Sequence, residues 1–252
     1  MPDFSQLSAL FLNCSLEYDP ADSHTGRLMS RSAGIMKTEG VSVETVHALE
    51  HVIPHGMYPD LTEFGRPRDD WPLIQAKIMA ADIFVMGTPI WLGVKSSVAT
   101  LAVERMYASS GETNDKGQYL YYGKTAGCIV TGNEDGVKAC SMDILYAMSH
   151  IGYTIPPQAD CGWIGEVGPG PSYGDVVEGS DTPTGFDSDF TNRNCTFMTW
   201  NLMHTAAMLR ANGGIPTDGN RAEDYQNFTN AADQSPEPVS YTHLTLPTSD
   251  LV

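Results

Sequence analysis

Between an apolar run ending at Asn13 and a helical pattern resuming at Thr25, the stretch LNCSLEYDPADSHT offers hydroxyls at Ser15, Ser23 and Thr25 and contains no lysine, arginine or glycine. A loop of this kind can hold an anion without a salt bridge, because the first amides of a helix are unpaired and carry partial positive charge. Two further stretches, GTPIWLGV (87–94) and IVTGNEDG (129–136), also follow apolar runs and supply small residues, hydroxyls and polar backbone. In an open α/β sheet such loops meet beyond the carboxyl ends of the strands, where ligands sit.

Several phosphate-binding chemistries compete for the first loop. A dinucleotide fingerprint G-x-G-x-x-G and a triphosphate loop G-x-x-x-x-G-K-[ST] are both absent. A cysteine phosphatase needs an arginine at the sixth position after its thiolate, and the sixth residue after Cys14 is Pro20. What remains is a hydroxyl loop offering Ser15, Ser23, Thr25 and backbone amides to a monophosphate, for which flavin mononucleotide (FMN) is the common ligand. The competing structural role is that Ser23 and Thr25 cap a helix while Asn13 makes a turn.

The elements that must position these loops follow from periodicity. Apolar runs without alternation at 9–13, 82–88 and 126–132, with a weaker one at 41–46, suit strands covered on both faces. Helical patterns fall at 25–38, 72–81, 96–109, 136–151 and 197–212, and YTIPP (153–157) is placed as a short fifth strand. Alternation of this kind predicts an α/β fold, a doubly wound five-stranded parallel sheet with helices on both faces. Residues 158–189, rich in Gly, Pro and Asp, form a long loop expected to act as a lid. Residues 1–212 are the expected domain and 213–238 an acidic extension; 239–252 resemble a translated sequencing adapter and are set aside.

The formal net charge of −17 over 252 residues argues against a nucleic-acid or anionic-membrane partner. No apolar window reaches the length of a membrane span, so a cytoplasmic protein is expected. Five widely spaced cysteines without a C-x-x-C pair are expected to be buried apolar groups, with no metal site.

The three loops, taken in order, resemble those of the NAD(P)H-dependent FMN reductase-like family of flavodoxin-fold flavoproteins. In LNCSLEYDPADSHT the family pattern falls on Asn13, Ser15, Ser23 and Thr25; GTPIWLGVKSSVATLAVERM (87–106) is similar to its second loop and IVTGNEDG to its third. His24 stands where asparagine is common, and Ser96–Ser97 replaces the frequent Ser-Gly.

The resemblance implies that Ser15, Ser23, His24 and Thr25 serve the flavin phosphate, that Thr88, Pro89, Ile90, Trp91, Leu92 and Gly93 line the ring, that Thr131, Gly132, Asn133 and Gly136 reach the pyrimidine end, and that Glu134 belongs to the same cofactor site. Trp91 is a stacking partner or core packing, and Glu134 with Asp135 a helix N-terminal pair or a direct influence on the flavin. Trp163 and Tyr173 are candidates to cover the flavin. No protein acid or base is required, because hydride transfer is chemistry of the cofactor. The implied activity is FMN-dependent transfer of electrons from NADPH or NADH to a small-molecule acceptor, in a homo-oligomer. The alternative is a flavodoxin-type electron carrier docking to a protein partner.

Overall fold

A computed structural model describes residues 3–168 and 170–224. Five parallel strands, β1 (Ser8–Asn13), β2 (Ser42–His47), β3 (Ile83–Trp91), β5 (Thr125–Gly132) and β6 (Asp160–Ile164), lie in the order β2-β1-β3-β5-β6; the two-residue β4 (Val94–Lys95) folds back antiparallel on β3. Leaving the hairpin aside, this is the flavodoxin-like doubly wound order, whose switch point lies between the first and third parallel strands.

The strands are apolar on both faces because both are covered. Leu10, Leu12, Phe84 and Met86 pack with α2 (Trp71–Ala80), α3 (Ser97–Tyr107) and α4 (Val137–Ile151). Their neighbours Ala9, Phe11, Ile83 and Val85 point the other way, onto α1 (His24–Thr38) and α5 (Asp189–Ala211). This two-sided burial explains why the sequence shows continuous apolar runs rather than alternation. All five cysteines are buried and free.

The edge beyond β5 differs from the expected one. Thr154 makes only an isolated bridge to Thr125, and the fifth parallel strand lies at Asp160–Ile164, inside the segment expected to be loop. Pro156 and Pro157 have no N–H to donate to a ladder, so 153–157 cannot continue as a strand. Gly162, which reads as a turn residue, is required for contact: a Cβ there would meet Val137 Cγ1 at 2.6 Å. The long loop is therefore 165–188. The last helix also begins earlier than 197, at Asp189, where Ser188 caps it by accepting from the Thr191 amide.

A buried ion pair shapes the 48–70 connection. The side chains of Asp69 and Arg105 are both inaccessible, and the guanidinium also donates to the carbonyls of Pro54, Tyr58 and Pro59. The start of the acidic extension wraps against the 114–123 segment, with Gln118 Nε2 donating to Ile215, Pro216 and Asn220. The rest of that extension and residues 239–252 lie outside the described residues. Among the described residues, no helix is long and apolar enough to cross a membrane.

Candidate functional site

At the carboxyl end of β1, Asn13 closes the first loop on itself: Oδ1 accepts from the Ser15 amide at 3.1 Å and Nδ2 donates to Ser23 Oγ at 3.0 Å. Ser23 Oγ accepts in turn from the Gly26 amide at 2.9 Å, which makes Ser23 the N-cap of α1. It is fully buried and does not reach open space, so the capping role holds for this residue. The next two amides, of His24 and Thr25, take no acceptor among the described residues. Thr25 Oγ1 lies 2.7 Å from Thr131 Oγ1, joining the first and third loops. Ser15 Oγ is buried with no hydrogen-bond partner among the described residues.

The second loop is fixed from beneath. Thr88 Oγ1 donates to the Pro89 carbonyl and accepts from the Ser96 amide; Ser96 Oγ caps α3 and donates to the Cys14 carbonyl at 2.7 Å. Above this the chain turns through Leu92 and Gly93, both with positive φ (52° and 78°), between paired Trp91 and Val94. Two positive φ values in a two-residue turn suit the right-handed twist of a hairpin, at a cost for the leucine. Glu134 Oε1 accepts from the Leu92 amide at 2.9 Å and holds it there.

A cavity of about 390 Å³ opens between these loops and the long one. Nine of the expected residues line it: His24, Thr25, Pro89, Ile90, Trp91, Thr131, Gly132, Asn133 and Glu134. Ser15, Ser23 and Thr88 are buried away from its surface. Leu92 and Gly93 form the hairpin turn, and Gly136 is the N-cap position of α4.

Residues from β6 and the long loop complete the wall. Trp163 and Tyr173 line the cavity in edge-to-face contact, with ring centroids 5.7 Å apart, and burial pushes the Tyr173 phenol above its ordinary range. The segment is pinned rather than loose. Asn133 Nδ2 donates to the carbonyls of Gly170 and Pro171, both at 3.1 Å, and Asn133 Oδ1 accepts from Ser172 Oγ. His24 Nδ1 donates to the Tyr173 carbonyl at 2.9 Å; since a carbonyl only accepts, the proton must be on Nδ1. Asp175, bonded to the Ser172 amide, lies 3.4 Å from Arg27.

Four lining groups had no part in the sequence expectation: Glu17, Val167, Gly168 and Ser172. Glu17 Oε2 is buried without a partner among the described residues. Its only signal in the sequence is its place in the loop that carries the hydroxyls, where an acid argues against an anion. Among the described residues no group of three or more His, Cys, Asp or Glu could hold a metal ion.

Comparison with known proteins identifies the family and the fold. Residues 7–162 match the family model described as NADPH-dependent FMN reductase. The chain is 33% identical over 210 residues to 8-demethyl-8-aminoriboflavin-5'-phosphate synthase of Streptomyces davaonensis, covering 81% of this chain and 79% of that protein. It is 54% identical over 210 residues to a protein of Mycobacterium bovis named divalent metal cation transporter MntH, covering 83% of this chain but only 30% of that protein. Among solved structures, RosB with bound 8-demethyl-8-formylriboflavin-5'-phosphate superposes with a TM-score of 0.77 at 30% identity, covering 98% of this chain and 94% of that one.

Proposed function

Because this chain belongs to the NADPH-dependent FMN reductase family, we propose that its cavity holds FMN and that the enzyme passes electrons from NADPH or NADH to a small-molecule acceptor. The observation that carries the placement is the convergence of open amides at His24 and Thr25 with the Thr25–Thr131 hydroxyl pair at one end of a cavity of ligand size. These groups fit a monophosphate, and Ile90, Trp91 and Trp163 fit a flat aromatic ring system.

When bound, FMN supplies acceptance of a hydride from the nicotinamide and release of two electrons to the acceptor. The chain's own residues bind and orient. The α1 N-terminus and its hydroxyls offset the phosphate charge where, among the described residues, no lysine or arginine lines the cavity. The Leu92–Gly93 hairpin, held by Glu134, sets the height of Trp91 at the mouth. Asn133 and His24 keep the 166–173 segment over the cavity and exclude water from it. The matched part of the MntH-named protein brings no metal-transport role to this reading, which rests on the cavity.

Anaerobic stopped-flow mixing of FMN-loaded protein with each nicotinamide tests the proposal: rapid bleaching of the flavin by at least one of them is expected. Reduction only by dithionite would replace it with a carrier docking to a protein partner.

One observation favours a second reading, in which a riboflavin phosphate is substrate as well as cofactor: the likeness to RosB and to the Streptomyces synthase extends over nearly the whole described chain. Mass spectrometry of the flavin recovered after turnover separates the two, since a reductase returns FMN of unchanged mass.

A further inference from the structure

Two of the five buried cysteines meet. Cys161 points from β6 and Cys195 from α5 into the same apolar layer, and their thiols are hydrogen-bonded to each other across the β6–α5 packing. Cys14, Cys128 and Cys140 belong to the layer on the opposite face of the sheet. Their chemistry differs as well. Burial pushes the Cys14 and Cys140 thiols up and takes Cys128 up to about 12. At Cys195 the hydrogen bond from Cys161, helped by Thr199 and the Arg31 charge, outweighs burial and holds the thiol below its ordinary range, while the same contact drives Cys161 up. One sulfur is thus readied as a nucleophile and the other keeps its proton to donate.

The pair also has an approach. Cys161 lines a second cavity of about 390 Å³ at the open edge of β6, walled by Val137, Phe190 and Thr191 and by Trp163, which lines the proposed flavin cavity too. We propose that Cys161 and Cys195 form a redox-active dithiol, which a hydroperoxide closes to an intramolecular disulfide that staples β6 to α5 behind Trp163. The Cys195 sulfur attacks one peroxide oxygen and the O–O bond breaks, leaving a sulfenic acid and releasing water. The Cys161 sulfur then attacks the Cys195 sulfur, the S–O bond breaks, and a second water leaves. Two thiols lose two electrons and two protons, and hydrogen peroxide takes them up as two waters. Passage of two electrons from a reduced flavin to dioxygen yields that oxidant next door; this local source rests on the proposed function, whereas the dithiol does not. In a reducing compartment such a bond is transient, because thiol reductants reopen it.

The test adds hydrogen peroxide to the protein as isolated, quenches with an alkylating agent and maps the peptides without reduction. A protease that cuts after acidic residues separates Cys140 from Cys161 at Asp143 and Asp160. A Cys161–Cys195 cross-link is expected, with the free thiol count falling from five to three and dithiothreitol restoring it. Cys161→Ala should stop the reaction at a Cys195 sulfenic acid that dimedone traps, Cys195→Ala should leave Cys161 reduced, and Cys140→Ala should cross-link as the parent does. Absence of the Cys161–Cys195 peptide in the parent overturns the inference, as does equal joining of either residue to Cys128 or Cys140. Mapping of the parent decides alone where an alanine variant does not fold. Because the peroxide is added, failure of nicotinamide to reduce the flavin strikes the proposed function and not the dithiol.

Discussion

The Glu134 carboxylate accepts a hydrogen bond from the Leu92 amide at 2.9 Å, and Leu92 has a φ of 52° while its side chain is 93% exposed. A side chain that packs on nothing but sits in the left-handed region stores strain, of the order of 1 kcal/mol. Leu92→Gly should therefore hold or raise the melting temperature, and Glu134→Ala should lower it and weaken FMN binding by letting the hairpin relax. A Leu92→Gly protein that melts earlier than the parent would show that the turn is not strained.

The first loop separates structural from ligand-binding hydroxyls. Ser23→Ala removes the α1 cap and is expected to cost about 1 kcal/mol of stability, measured by denaturant titration. Thr25→Ala removes a hydroxyl at the cavity wall and should weaken FMN much more than riboflavin, by about 1.5–3 kcal/mol if the lost bond is charge-assisted. Equal loss for FMN and riboflavin in Thr25→Ala would place the phosphate elsewhere.

Asn133 makes hydrogen bonds with both its amide groups to the 166–172 segment. Asn133→Ala should raise amide hydrogen exchange across 166–173 by tenfold or more while exchange in β5 stays slow. Unchanged exchange would mean that Tyr173 burial alone holds the segment.

The Asp69–Arg105 pair predicts an acid limit. Burial pushes the Asp69 carboxyl up, but hydrogen bonds from Arg105 and from the Leu61 and Trp71 amides outweigh it and hold the carboxyl below its ordinary range. The folded-state value thus lies below the unfolded one, so the pair's contribution is present above about pH 4 and is lost as pH falls through the folded value. Melting temperature should drop below pH 4 in the parent. Asp69→Asn, which leaves Arg105 buried without its counter-charge, should cost about 3–5 kcal/mol at pH 7 and show a shallower acid drop. A parallel pH profile in the two proteins would remove Asp69 from the explanation.

Local sequence determined the strand and helix alternation, the order of the three loops and the burial of the cysteines, because each depends on the apolar content and period of a short segment. Nine of fifteen expected site residues line one cavity for the same reason: loops after parallel strands must meet at one end of the sheet. Tertiary structure decided the rest. Ser23 and Thr25 are two residues apart with similar side chains, yet one is consumed as a cap and the other faces the third loop, a difference set by where Asn13 and Thr131 arrive. The last strand was hidden because Gly162 looks like a turn until Val137 is packed against it. Asn133 lines the cavity and also ties down a segment more than thirty residues away in the chain, a contact no local pattern announces. Glu17 has one oxygen without a partner among the described residues, since whether a carboxylate is solvated or paired depends on groups remote in sequence that folding brings, or fails to bring, within hydrogen-bond reach.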